Sequence, residues 1–251
     1  MDYPNTSTEW AQRVSEGLVS GYSFIQKFGE NPDIDTGSTP EDIWDAGGLY
    51  TFSTSADIEE IASSDAGDTM DIEVQGLDAD WKLITQTVTL TGQTVAPLAT
   101  PLIRVFRMKN MGSTDIAGII TLGISGMTWV AGVPSNASEI RAQINNGNNQ
   151  TLMCIYTIPA GKTGYFYGGS VSYSKSSSTG ASITLKMREF GGVFQVKNKG
   201  TILGSGTSIW SSKYSFPLSI AEKTDVLIRA EAVETNNTGI GGGFTILLKD
   251  N

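Results

Sequence analysis

The segment Asn31-x-Asp33-x-Asp35, with Asp42 at the twelfth position counted from Asn31, spaces oxygen donors as a Ca²⁺ loop does. Thr36 stands where such a loop needs Gly, and Asp42 where it needs a bidentate Glu. Asx-turn chemistry accounts for the same residues without an ion, so Asn31, Asp33 and Asp35 are compatible with either, and no metal or cofactor is assigned. Gly123-Ile124-Ser125-Gly126-Met127 lacks the last glycine of a nucleophile elbow. The chain has no His at all, which excludes Ser-His-Asp and Cys-His catalysis and every His-ligated metal. Gly239-Ile240-Gly241-Gly242-Gly243 has no following Lys-Ser/Thr and precedes the apolar run Phe244–Leu248, so a hairpin or bulge turn is expected there, not a phosphate loop. Cys154 lies in the apolar run Leu152–Tyr156 and is expected as a buried thiol. Two carboxylates would suffice for a glycosidase, but among 26 acids their presence singles out none. Trp81, Trp129, Tyr165, Tyr167 and Trp210 fall near predicted strand ends or loops, where aromatic rings can stack on sugars, although most aromatics of a sandwich belong to its core. No catalytic residue emerges, and the chain is expected not to be an enzyme.

Charge is distributed unevenly. The net charge is −9, yet residues 30–80 hold 15 acids and no Lys or Arg, whereas residues 81–251 carry 15 bases against 8 acids. The two regions either pair within one fold or let an acidic face of one copy meet a basic face of the next. The bases are spread along strands without interleaved aromatics, so nucleic acid is not an expected partner. No apolar run reaches the length of a membrane span, and Met1-Asp2-Tyr3-Pro4 does not open a secretory signal. Folding in a reducing cytoplasm is expected.

The elements that would position these residues begin with a helix. Trp10, Val14, Leu18, Tyr22 and Ile25 recur at helical spacing, Thr6 and Glu9 resemble a capping box, and Gly29 can end the element. Gly17 and Gly21 inside it each cost about 1 kcal/mol relative to Ala, so this helix needs a surface to lie on. The five-residue stripe is the candidate assembly interface. Residues 30–48 are irregular, with Thr39-Pro40-Glu41-Asp42-Ile43-Trp44 expected as one helical turn closed by Gly47-Gly48. Residues 1–48 thus form an expected arm and connector, and 49–251 one β-sandwich domain.

Beyond residue 48 the dominant period is two. Met70/Ile72/Val74, Ile183/Leu185/Met187 and Val226/Ile228/Ala230 alternate with polar residues, as half-buried antiparallel strands do. Further strands are expected over 49–54, 82–91, 102–110, 116–124, 151–158, 165–174, 193–197, 212–218 and 244–248. The Asn-rich run 143–150 and the Ser-rich run 175–180 are expected loop tips, and a division into two β domains near 145–150 is the less favoured alternative. The fold class is all-β: a two-sheet antiparallel sandwich of jelly-roll or Greek-key type behind an N-terminal helical arm.

Two runs, Phe28–Gly37 with Ile43–Phe52, and Ile155-Tyr156-Thr157-Ile158-Pro159-Ala160-Gly161-Lys162-Thr163-Gly164, resemble a pattern in tailed-bacteriophage virion proteins of the capsid-associated or decoration type. The resemblance covers residues 24–251 in overall texture. It implies a jelly-roll-like subunit present in many copies on the virion, made in the host cytoplasm, self-associating as a trimer or lattice and contacting other capsid proteins, with no catalytic residues. A subunit that covers or cements a phage capsid is therefore the expected function. A carbohydrate- or receptor-binding module of tail-fibre or lectin-like type is the alternative.

Overall fold

The computed structural model describes residues 7–251, and Thr6 of the expected capping box lies outside them. A short helix, α1 (Ser7–Ser15), precedes β1 (Tyr22–Ile34) and β2 (Glu41–Asp42). There follow β3 (Ile58–Ser63), β4 (Asp71–Leu77), β5 (Leu83–Thr89), β6 (Ala96–Leu102), β7 (Arg104–Asn110), β8 (Ile120–Ile124), β9 (Trp129–Val130) and β10 (Val133–Pro134). The chain closes with β11 (Ile140–Ile144), β12 (Ile155–Thr157), β13 (Lys162–Arg188), β14 (Gln195–Ile220), β15 (Asp225–Val233) and β16 (Thr238–Asp250). All described pairings are antiparallel, so the all-β expectation holds. One large sheet runs β1-β16-β13-β15-β12, with β14 on β13 and β2 on β15. Smaller sheets run β11-β8-β3-β6 and β5-β4-β7, and β9 and β10 form a ribbon.

The large sheet is itself folded over. β13 pairs with β16 through residues 162–174 and with β15 through residues 181–188, while β14 follows it along both halves. Register shifts between Lys175 and Thr179 mark the bend, in the run expected as a loop tip. The halves then face each other. Asn198 Nδ2 donates to Ser212 Oγ at 3.0 Å, and a Cβ on Gly200 would stand 2.7 Å from the Trp210 ring, although these residues lie far apart along β14. Val171 and Tyr173 of the first half share one core with Ile183 and Leu185 of the second. A hairpin that switches layers through a bend thus makes the sandwich. The segments 193–197 and 212–218, expected as separate strands, are the two ends of β14.

A second core lies between the smaller sheets, built on Ile58, Ile72, Val74, Leu102, Met108 and Leu122. β12 and β15 form the wall between the cores. Tyr156, Val226 and Ile228 point into the first, and Ile155 and Leu227 into the second. Burial on both faces explains why Leu227 interrupts the alternation of β15 with an apolar residue between Val226 and Ile228.

The N-terminal expectation is corrected. The helix stops at Ser15, and Gly17 (φ 73°) and Gly21 (φ 78°) take the left-handed conformation that turns the chain back into β1. Tyr22 and Ile25 are strand residues, and the β1 ladder with β16 extends from Tyr22↔Lys249 to Ile34↔Thr238. A continuous backbone ladder outweighs a glycine-weakened helix. The arm therefore ends before Tyr22, and β1 and β2 belong to the large sheet.

Three local expectations also change. Thr39–Trp44 is not a helical turn: Glu41 and Asp42 pair with Ala230 and Arg229 of β15, because the Asp42 carboxylate accepts Arg229 Nε at 2.6 Å and the Tyr50 N–H at 2.8 Å. Residues 49–54 consequently form no strand. The glycines at 241–243 lie inside β16, paired on both sides, and Gly239 lies in the same strand opposite the register shift of β1, so the run is not a turn. Gly29 lies mid-strand, where a Cβ would stand 2.5 Å from the Cys154 backbone nitrogen. Gly29→Ala is expected to destabilise the protein by about 1–3 kcal/mol through overpacking against backbone that cannot yield, read from urea unfolding midpoints.

Candidate functional site

Arg104 opens β7 and Asp225 opens β15, and both are almost fully buried. Arg104 Nε donates to Asp225 Oδ1 at 2.9 Å and to Thr157 Oγ1 at 3.2 Å, and its other amino groups reach Asp225 Oδ2 and the Ser53 and Ile103 carbonyls. Thr157 Oγ1 donates to Asp225 Oδ1 at 2.6 Å. Arg188, at the end of β13, adds two bonds to Asp225 Oδ2 at 3.0 and 2.5 Å. Two guanidiniums and a hydroxyl thus satisfy one carboxylate. The small β5-β4-β7 sheet is tied through it to the large sheet.

Aromatic rings extend this network. Arg104 stacks over Phe52 and Trp81 at 5.0 and 4.8 Å, Arg188 over Phe52 and Phe194 at 4.8 and 4.6 Å, and Lys223 lies 5.4 Å from Phe190. Trp81 holds a left-handed φ of 64°, supported by its N–H to the Asp78 carbonyl and by the Asp78 carboxylate on the Asp80 and Lys82 N–H groups. Its ring meets Phe190 edge-on at 5.4 Å, and Phe52 meets Phe194 at 5.6 Å. Phe190 and Phe194 belong to the β13–β14 connection, so the ladder clamps the base of that hairpin. No sequence spacing relates Arg104, Arg188 and Asp225. The one available signal is that cations flank inward-facing apolar strand residues.

The hairpin carries several exposed apolar side chains. Among the described residues β14 pairs with β13 only. Ile202, Trp210 and Tyr214 pack inward, while Lys197, Lys199, Leu203, Ile209 and Lys213 stay in solvent. Leu203 (65% exposed) and Ile209 (72%) flank the bend, and Phe216 (88%) stands near the far end. Such an edge normally needs a cover. No acid occurs from residue 190 to 221, where the bases are Lys197, Lys199 and Lys213.

The predicted assembly stripe is dispersed. Trp10 meets Tyr22 and Phe24 edge-on at 5.5 and 6.2 Å, and Val14 is buried, so part of α1 is already seated on its own β1. Ile25 packs against the first core, and only Leu18 is largely exposed. The aromatic residues considered for sugar stacking do not converge: Trp81 is in the ladder, Trp129 Nε1 donates to Glu60, Tyr167 packs on Phe24, Trp210 faces the core, and Tyr165 is half-buried.

The acid-rich segment is largely consumed within the fold. Asn31 donates to Glu41 and the Asp42 carbonyl, and its own Oδ1 accepts the Asp33 N–H. Asp35 accepts the Asn237 N–H, and Asp42 is paired with Arg229. The Asn31, Asp35 and Asp42 side chains thus serve turns and ion pairs while Asp33 stays exposed, and no cluster of three His, Cys, Asp or Glu suited to a metal occurs among the described residues. Asp68 binds Ser63 and the Ala117 and Gly118 N–H groups, and Glu60 binds Gly126 and Trp129. Glu30, Asp33, Asp71 and Asp80 remain exposed. Burial pushes the Asp45 carboxyl up to about 7, despite its bond from the Leu152 N–H, and the nearby Glu30 charge adds to the rise. Cys154 is buried and its Sγ reaches the Gly242 carbonyl, and burial holds the thiol protonated with a pKa of about 12. No described helix is long and apolar enough to cross a membrane.

No protein-family model and no curated protein sequence matches the chain. Among solved structures, the infectious bursal disease virus VP2 subviral particle overlaps it at 10% identity over 92% of this chain and 72% of that chain, with a TM-score of 0.22. The infectious bursal disease virus Gt and Gx strain structures overlap it at 10% and 8% identity over 92% of this chain and 82% of theirs, each with a TM-score of 0.14. Overlaps this loose assign neither fold nor function, which rest on the geometry above.

Removing one partner of the buried pair, by Asp225→Asn or Arg104→Met, is expected to cost about 3–5 kcal/mol in denaturant unfolding, because the remaining charge stays buried. Asp45 titrates at 3.8 in an ordinary setting and at about 7 in the fold, so between those values the folded chain holds a proton that the unfolded chain has released. Its contribution therefore falls as pH rises through that window. Urea midpoints of Asp45→Asn are expected to decline less than wild type over the same range.

Proposed function

We propose that the protein is a non-enzymatic structural subunit that self-associates and covers or cements the capsid of a tailed bacteriophage, alongside other capsid proteins. The observation that carries this reading is β14: a 26-residue strand paired on one side, studded with exposed Leu203, Ile209 and Phe216, and carrying three lysines. A monomer would leave that edge open to indiscriminate strand pairing. A second copy supplies the complement, since its exposed Glu30, Asp33, Asp71 and Asp80 give acidic surface to meet the lysines. The absence of His and the internal engagement of the candidate acids support a role in contact, not in turnover. The likeness of two sequence runs to phage virion proteins supports a location on a particle.

Native mass spectrometry and light scattering are expected to show a trimer or larger oligomer, weakened by salt because exposed charges contribute. The double variant Leu203→Glu, Ile209→Glu is expected to be monomeric with an unchanged far-ultraviolet spectrum. A wild-type chain that stays monomeric at high concentration and does not bind purified phage particles would overturn the proposal.

A further inference from the structure

The Asn-rich loop between β11 and β12 holds chemistry that the proposed role does not use. Asn146-Gly147 is the one Asn-Gly pair in the sequence. It occupies the middle of a turn that the Asn148 N–H closes on the Asn145 carbonyl at 3.1 Å, and Asn146, Gly147 and Asn148 are all exposed. Gly147 takes a left-handed φ of 86°, which glycine adopts without steric cost. Beyond its chain neighbours, nothing lies within 4 Å of where a Cβ on Gly147 would stand. The Gly147 backbone nitrogen is therefore unshielded both by its own residue and by the fold around it.

The asparagines on either side are held differently. Asn145 donates to the Asp45 carbonyl and carboxylate and accepts from Gln143. Asn149 donates to Asp115, and its Oδ1 accepts the Ile116 N–H and the Asn110 amide. The residues that follow them are Asn146 and Gln150, whose side chains crowd the backbone nitrogen. Asn146 makes one bond, from Nδ2 to the Ala117 carbonyl at 2.9 Å, in an exposed setting. Its Oδ1 and the Gly147 N–H have no partner among the described residues.

We infer that Asn146 is a self-modifying site, converting without an enzyme to aspartate and isoaspartate. Asparagine is a chemically labile residue, and glycine after it removes the side chain that would obstruct attack. The Gly147 nitrogen gives its proton to hydroxide and attacks Asn146 Cγ. A bond between that nitrogen and Cγ forms, the Cγ–Nδ2 bond breaks, and Nδ2 takes a proton from water and leaves as ammonia. Water then opens the five-membered imide. Addition at Cγ gives aspartate, and addition at the backbone carbonyl gives isoaspartate. Either product puts a negative charge where an amide donor stood, so the Ala117 carbonyl loses its bond and faces a carboxylate. Isoaspartate also routes the main chain through the side chain and lengthens the turn by a methylene. Both changes loosen the loop that Asn145 fastens to Asp45.

The test is prolonged incubation of the full chain in mildly alkaline buffer, followed by ion exchange and peptide mapping by mass spectrometry. A more acidic species is expected to accumulate, with aspartate and isoaspartate at position 146 and ammonia released in equal amount. Its rate is expected to rise in proportion to hydroxide. Asn146→Gln, whose attack needs a six-membered ring, is expected to form acidic species at least about tenfold more slowly, equivalent to a barrier about 1.4 kcal/mol higher. Asn146→Asp is expected to melt about 2–4 °C below wild type, the shift of roughly one lost hydrogen bond in a chain of this size. Conversion spread over several asparagines would deny the site. Conversion in urea but none in the folded chain would show that the turn protects Asn146, and would equally overturn the proposal. An unchanged melting temperature for Asn146→Asp would remove the loosening. Peptide mapping uses wild-type protein, so it decides the conversion even if a variant fails to fold.

Discussion

The constraint on which the architecture turns is the Asp225 carboxylate, buried between sheets and held by Arg104, Arg188 and Thr157. A charge at that depth persists only if its hydrogen-bonding capacity is filled, so the three partners must arrive together. Each comes from a different strand: Arg104 from β7, Thr157 from β12 and Arg188 from the end of β13. Meeting the carboxylate's demand therefore sets the approach of the small sheet, the wall between the cores and the root of the long hairpin at one stroke. The Phe52, Trp81 and Phe194 rings lie over the guanidinium faces, and Phe190 packs edge-on against Trp81.

From that root the β13–β14 hairpin extends, bends and closes on itself. Its inward residues make the first core, so its outward residues are left without a function inside the monomer. Leu203, Ile209 and Phe216 belong to that remainder. The same logic applies less strongly to α1, whose Trp10 and Val14 are already seated on β1. Exposed apolar surface thus lies more on the far edge of the large sheet than on the N-terminal stripe.

Much of the strand content was legible because alternation depends only on nearest neighbours. β4, the end of β13 and β15 show an apolar/polar alternation, and β5, β7 and β8 fall within the segments expected as strands. Where the reading went astray, local and global preference disagreed. Tyr22 and Ile25 fit a helical stripe, but Gly17 and Gly21 were available as left-handed hinges and β16 as a ladder partner. Gly241–Gly243 resemble a turn, yet they lie in β16 between two strands, and a Cβ on Gly243 would come within 2.7 Å of the Lys27 carbonyl. Asp42 looked like a twelfth-position ligand because nothing in the local sequence announces Arg229.

By itself the sequence determined two things: with a two-residue period the chain builds antiparallel sheets, and without histidine it cannot form a Ser-His-Asp or Cys-His site. It also determined that Cys154 would be buried, since an apolar run leaves a thiol no other place. Only the tertiary structure decided which acids would be spent on internal bonds, where the hairpin would fold over, and which cations would meet the buried Asp225. Those outcomes depend on contacts between residues scores of positions apart, and pairing of that range is selected by the closing of sheets and the filling of buried charges, not by the order of neighbours along the chain.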